Sequence, residues 1–176
     1  MGDVAELLAK YSGIRLDIAC GANKRENWVG IDIRPLPDVD IVHDLESFPW
    51  PLPDGCVLAA ICSHYVEHID PAHFGFIRFM DEVWRVMRPG GKLLIATPHA
   101  WSVGYGQDPT HCNPVNENTM DYFDPEGPRS GGILYQIYQP KPWKIEYLAW
   151  HPAGNIEVVL VKREMNGHIP IEEGAA

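Results

Sequence analysis

The strongest constraint on this chain is the short gap between its first two strand-like segments. Ile14 to Ala19 reads as a buried strand, and Gly21 supplies a turn where a backbone can approach a ligand closely. Trp28 to Asp32 reads as a second strand that ends in an acid. Only eight residues, Cys20 to Asn27, separate them. Parallel neighbours normally need a crossover of a dozen or more residues, usually a helix. Eight extended residues reach about 26 Å, enough to return along a short strand. The helix that usually follows such a glycine turn presents its positive end to phosphates. A turn without it loses the main anchor for a pyrophosphate, and the G-x-G-x-x-G dinucleotide fingerprint is absent as well.

The rest of the chain reads as an α/β sheet. Val4, Leu7, Leu8 and Tyr11 fall at helical spacing and predict an amphipathic helix over 3–11. A third short strand, 39–43, follows the helix-free "RPLPDVD", and prolines make 48–55 a loop. The apolar run 57–63 is a central parallel strand buried on both faces. Asp70 as N-cap and Pro71 in the first turn predict a helix with the stripe Phe76, Met80, Val83 and Met87. "RPGG" (88–91) stops it with a sharp reversal, and 92–98 is another buried strand. Residues 99–132 lack periodicity and read as one long functional loop. "PWKIEYLAW" and "NIEVVLVKR" close the chain as an antiparallel hairpin.

Composition narrows the partners. The 176 residues suit one domain, and 14 basic residues against 24 acidic ones leave a formal net charge of −10. That field repels phosphate backbones and anionic membranes, so neither nucleic acid nor a membrane is expected as a partner, and cationic ligands are favoured. No apolar run approaches the roughly 20 residues of a membrane span. "MGDVAELLAK" has the make-up of neither a signal peptide nor a myristoylation site, since Glu6 stands where Ser or Thr is required. Cys20, Cys56, Cys62 and Cys112 show no C-x-x-C spacing and read as reduced thiols of a cytoplasmic protein.

Taken together, these segments resemble the class I S-adenosylmethionine-dependent methyltransferases, in particular their small general-methyltransferase branch. "LDIACGAN" (16–23) is similar to the glycine-rich first motif, with Ala19 where glycine is commoner, and "VGIDI" (29–33) to the second strand with its ribose-binding acid. The segment 43–69 resembles the adenine-contacting acid, loop and strand-to-helix passage, and 82–98 the helix, turn and strand that follow. The resemblance implies a Rossmann-like sheet, trimmed of both early crossover helices and ending in an antiparallel hairpin. It implies a single domain over 1–176, with a cofactor-binding half at 14–98, an acceptor loop at 99–132 and terminal strands at 133–163. S-adenosylmethionine carries no phosphate, which suits a turn without a helix.

By this resemblance Asp17 supports the methionine ammonium, Gly21 permits backbone approach, and Cys20 lines the site. Asp32 accepts the ribose hydroxyls, and Asp44 takes the adenine amino group with the Leu45 backbone beside it. Ser63 and His64 stand where the fourth strand ends, the usual ligand edge of an open α/β sheet. The reaction implied is methyl transfer to oxygen or nitrogen of a small-molecule or glycan-type acceptor. An oxygen acceptor needs a base, for which His111, His68 and Asp108 are candidates; an amine needs only its lone pair. Trp101, Tyr105, Tyr122 and Phe123 form either an acceptor wall or a core lid. Two other readings stay open. "HYVEH" fits the H-x-x-E-H spacing of a zinc hydrolase through His64, Glu67 and His68, although no metal site is assigned here. The trimmed early segment also suits a non-catalytic relative that binds the cofactor or a partner.

Overall fold

Side chains staple the crossovers that lack helices. In the computed structural model, which describes residues 4, 8, 13–127, 133–151 and 153–164, β1 (Ile14–Ile18) and β2 (Val29–Asp32) pair in parallel, Leu16 opposite Val29. The buried Asp17 carboxylate accepts the Arg25 N–H at 2.8 Å, with the Arg25 guanidinium at 3.5 Å. Asp40 serves the next crossover: its Oδ2 accepts the Gly30 N–H at 2.7 Å and the Lys24 ammonium at 2.9 Å. Hydrogen bonds to a charged group are worth about 1.5–3 kcal/mol each. They hold loops that no helix packs down.

β3 (Ile41–Val42) continues the parallel set beside β2. On the other side of β1 lie β4 (Val57–Ser63) and β5 (Met87–Pro98), also parallel. β6 (Trp143–Trp150) and β7 (Asn155–Lys162) form the expected hairpin, and β7 runs antiparallel to β5. The sheet order is β3-β2-β1-β4-β5-β7-β6. Strand order reverses between β1 and β4, so the ends of β1, β2 and β4 open onto one switch-point crevice.

The helix α1 (Gly75–Val86) buries Met80 and Val83 of the expected stripe, together with Phe79 and Val86; Phe76 is half-buried, and Met87 falls beyond the helix as the first residue of β5. Its start differs from expectation. Asp70 Oδ1 accepts the Ala72 N–H at 2.8 Å and so caps a separate 3-10 turn, Ala72–Phe74. His73 and Phe74 then take positive φ of 53° and 61°, and α1 begins only at Gly75. A Cβ on Gly75 would lie 2.0 Å from the Asp70 carbonyl oxygen, so the chain doubles back there through glycine alone. "RPGG" differs as well. It belongs to β5 as an irregularity opposite Val57–Ala59, with Gly90 at φ 73°, and does not reverse the chain.

The segment 99–132 is not one loop. It contains α2 (Val103–Gly106) and α3 (Glu117–Asp121), and His99 bridges Val115. Asn116 and Thr119 form a reciprocal capping box that starts α3. Val115, Met120 and Phe123 are buried core, Phe123 packing its ring on Phe76. Residues 128–132 lie outside the described residues, and α4 (Ile133–Tyr138) follows them. Of the helix expected over 3–11, Val4 and Leu8 are helical and packed against the core, and the other residues lie outside those described.

Candidate cofactor crevice and acceptor-side cluster

The crevice beyond β1, β2 and β4 encloses about 320 Å³. Asp32, Asp44, Leu45 and His64 line it, together with Arg34 and Tyr65. Asp32 stands at the end of β2, nearly fully buried. Its Oδ2 accepts the Gly21 N–H at 2.8 Å, and its Oδ1 accepts the Arg34 N–H at 2.9 Å and Arg34 Nε at 3.2 Å. Burial pushes the Asp32 carboxyl up, but the Arg34 and Gly21 N–H groups and the Arg34 guanidinium outweigh it and hold the group below the usual carboxylate range. Asp32 is therefore an ionised acceptor at the crevice wall. Burial, reinforced by nearby acids, pushes the Tyr65 phenol up, so it remains an O–H donor.

The other expected cofactor residues divide. Asp44 is exposed, with its carboxylate taken by the Glu46 N–H at 3.0 Å and the Ser47 hydroxyl at 2.9 Å. Leu45 is buried, and its carbonyl accepts the Trp50 indole N–H at 3.0 Å. Gly21 adopts φ 57° and meets the crevice through its bond to Asp32. Asp17 points to the Arg25 staple, and the Cys20 sulfur packs over Gly30, where a Cβ would lie 2.7 Å from it. Burial and the charges of Asp17 and Asp32 push the Cys20 thiol up to about 11, which leaves it inert and protonated. Ser63 ends β4 half-buried, opposite Ala96. Arg34 was invisible to the motif comparison, and its only signal was a cation two residues past the acid.

Beside the crevice lies a second polar group. His68 and His111 meet edge to face with ring centroids 4.7 Å apart. His111 Nδ1 stands 2.9 Å from the Tyr105 carbonyl, which can only accept, so Nδ1 carries the proton. The Thr110 hydroxyl donates to Asp108 Oδ1 at 2.7 Å and therefore accepts from His68 Nδ1 at 3.0 Å. Nε2 is thus the ring nitrogen that each imidazole leaves uncommitted. Asp108 Oδ2 lies 3.7 Å from His111 Nε2. Hydrogen bonds from the Thr110 hydroxyl and N–H, with smaller electrostatic contributions from His111 and His68, keep Asp108 below the usual carboxylate range. His68, Asp108 and His111 are therefore together. Of the four loop aromatics only Tyr105 joins them, 5.4 Å from the His111 ring. Trp101 is largely exposed, and Phe123 belongs to the core.

The zinc-hydrolase spacing is not realised. His64 takes φ 53°, and only Val66–His68 are helical, in one 3-10 turn, so His64 and His68 do not share a helix face. His64 instead faces the crevice.

The chain's relatives agree with this architecture. Residues 19–95 match the family model described as a methyltransferase domain. A probable S-adenosylmethionine-dependent methyltransferase of Mycolicibacterium smegmatis is 30% identical over 119 residues, 67% of this chain. The chain spans about 40% of that relative's length. A crystal structure of a SAM-dependent methyltransferase from Archaeoglobus fulgidus superposes with a TM-score of 0.60 at 17% identity, covering 92% of this chain and 95% of the other. The 1,6-didemethyltoxoflavin-N1-methyltransferase of Burkholderia thailandensis, solved with 1,6-didemethyltoxoflavin and S-adenosylhomocysteine, gives 0.60 at 11% identity, covering 92% and 76%. The seven-stranded sheet with its antiparallel last pair is the Rossmann-like fold of these enzymes. In the matched segment and in its fold the chain is similar to the class I S-adenosylmethionine-dependent methyltransferases. S-adenosylmethionine is the cofactor that goes with the family.

Proposed function

We propose that this protein transfers the sulfonium methyl of S-adenosylmethionine to an oxygen or nitrogen of a small-molecule or glycan-type acceptor. The observation that carries this reading is Asp32, an ionised and nearly buried acceptor at the switch-point crevice, bonded to the Gly21 turn. Ribose hydroxyls entering the crevice find a charged partner there, worth about 1.5–3 kcal/mol per bond. The adenine end lies toward Leu45 and Asp44, and Tyr65 adds an O–H donor at the wall. The methionine end runs past Gly21 toward His64.

The cofactor supplies the electrophile when bound. What the chain adds is orientation and exclusion of water. His68, Asp108 and His111 stand on the acceptor side, joined to the crevice through His64 and Glu67. An acceptor hydroxyl would hydrogen-bond to a bare imidazole Nε2, with Asp108 stabilising the cation formed on proton transfer. An amine acceptor would be positioned by the same acceptors without proton removal in advance.

The test is ligand-dependent stability. S-adenosylhomocysteine should raise the melting temperature in proportion to RT ln(1 + [L]/Kd), and NAD at equal concentration should not. Stabilisation by NAD alone would overturn the reading.

A further inference from the structure

Glu67 is fully buried in the turn after β4. Its Oε2 accepts the Thr97 hydroxyl at 2.8 Å, but Oε1 has no hydrogen-bond donor. His64 Nδ1, 3.3 Å away, lies off the line of a hydrogen bond. A carboxyl oxygen left without a hydrogen bond in the interior is costly. Something should complete it.

What converges on this carboxylate is a set of further acceptors. One ligand atom each from Glu67, His68 and His111 lies within 4.8 Å of the others. His111 Nδ1 is committed to the Tyr105 carbonyl and His68 Nδ1 to Thr110, so each imidazole has only Nε2 to offer. The lone pair that each imidazole keeps at Nε2 and the Glu67 carboxylate are all acceptors. That is the electrostatic description of a cation site. The outer contacts fit as well: imidazoles that bind metals donate their other N–H to a carbonyl or a carboxylate relay, as with Tyr105 and Thr110–Asp108 here.

We propose that Glu67, His68 and His111 bind a divalent transition-metal ion, with zinc the natural first choice. Two nitrogens and one carboxylate suit zinc, whereas calcium and magnesium prefer all-oxygen sets. Zinc–ligand bonds of about 2.0–2.2 Å put tetrahedral ligand atoms about 3.4 Å apart, so the side chains draw together on binding. Three protein ligands leave a fourth position for water or an acceptor oxygen.

The role of the ion deepens the proposed methyl transfer and rests on that reading; its binding does not. With zinc on both Nε2 atoms, the ion would take over from the imidazoles as the group that activates an acceptor hydroxyl. An acceptor hydroxyl on the fourth position would lose its proton to solvent by way of Asp108. The oxygen's lone pair would then form the bond to the methyl carbon, and the breaking carbon–sulfur pair would stay on sulfur. The products are the methyl ether, S-adenosylhomocysteine and one proton.

Untagged protein, stripped with chelator and dialysed, should be titrated with zinc and with cobalt(II). We expect one zinc per chain by elemental analysis after gel filtration, a raised melting temperature, and a cobalt d–d spectrum of low coordination number. His68→Ala and His111→Ala should each weaken zinc binding at least 100-fold, with metal-free melting curves reporting that each variant folds. Glu67→Gln should weaken it similarly; if that buried variant fails to fold, the two histidine variants carry the test. Absence of stoichiometric zinc, or zinc binding unchanged in both folded histidine variants, would overturn the site. S-adenosylhomocysteine binding measured on the metal-free protein separates this failure from that of the proposed function.

Discussion

The Gly21 N–H donates to Asp32 Oδ2 at 2.8 Å, so the turn after β1 and the last residue of β2 form one unit. The backbone proposed to approach the cofactor is positioned by the acid proposed to hold the cofactor's ribose. Arg34 completes the unit from the other side of the carboxylate.

Asp32→Ala should weaken S-adenosylhomocysteine binding by about 10- to 100-fold, or 1.4–2.8 kcal/mol. It should also lower stability by about 1–3 kcal/mol, because the Gly21 and Arg34 N–H groups lose their acceptor. Calorimetry and denaturant titration read the two effects separately. Unchanged affinity in a folded variant would move the ribose contact elsewhere.

The same carboxyl predicts a pH dependence. Its folded-state pKa lies below the unfolded value, so its contribution is fully present above the unfolded pKa and lost as pH falls through the folded one. Affinity for S-adenosylhomocysteine follows the ionisation of the folded carboxyl, so it should be flat through neutral and weakly acidic pH and fall only below the usual carboxylate range. Asp32→Asn should flatten that acid limb. An acid limb unchanged in Asp32→Asn would assign it to another carboxylate.

Gly21→Ala tests the turn. At φ 57° a Cβ is strained, and it would sit 2.9 Å from Arg34 Nη2, the mobile end of an exposed side chain. The arginine can yield and the backbone cannot, so the left-handed conformation dominates, at about 1–2 kcal/mol. A lower melting temperature with weaker cofactor binding is expected. Gly55→Ala, also at positive φ but with open space around it, should cost stability without touching binding.

Arg85 holds the proline loop to α1. Its guanidinium donates to both Glu82 oxygens and to the Trp50 and Leu52 carbonyls, while Glu82 Oε1 accepts the Trp50 N–H. Arg85→Ala leaves the buried Glu82 unpaired and should destabilise by about 2–4 kcal/mol, less than a fully buried pair because part of Arg85 meets water. Arg85→Lys keeps the charge but loses the fork, and should fall between. Denaturant midpoints at constant slope would measure both.

Thiol labelling reads the Gly21 neighbourhood from within. With its pKa near 11, Cys20 carries about a thousandth of its population as thiolate at pH 8. Cys62 is fully buried, whereas Cys112 is exposed. Iodoacetamide should therefore modify Cys112 first in native protein and all four thiols after unfolding, as peptide mapping would show. Early labelling of Cys20 would mean that the turn opens in solution.

Strand identity, the stripe of α1 and the terminal hairpin were legible because apolar periodicity records which faces are buried. The sheet edge where the crevice opens was legible too, since Gly21 and Asp32 sit at strand ends whatever the connection between them. Three other features were not. The residues 70–74 hold strong helix-start signals, yet the close approach of Gly75 to the Asp70 carbonyl turns them into a separate 3-10 turn. The segment 99–132 read as one long loop because its core residues, Val115, Met120 and Phe123, are spaced by caps and turns with no period to mark them. Asp17 read as a cofactor acid, and only the folded chain gives its carboxylate to Arg25.

"HYVEH" marks the division most clearly. Its spacing named Glu67 and His68 but joined them to His64 as neighbours on a helix. The chain supplies a left-handed His64 and a single 3-10 turn, and brings His111 to Glu67 and His68 from across the fold. Local sequence determined which segments are strands, which helix is amphipathic and which acids end strands, since those follow from neighbours a few residues away. The side chains that meet the Glu67 carboxyl were decided by long-range packing, because a buried polar group takes its partners from whatever the fold carries to it.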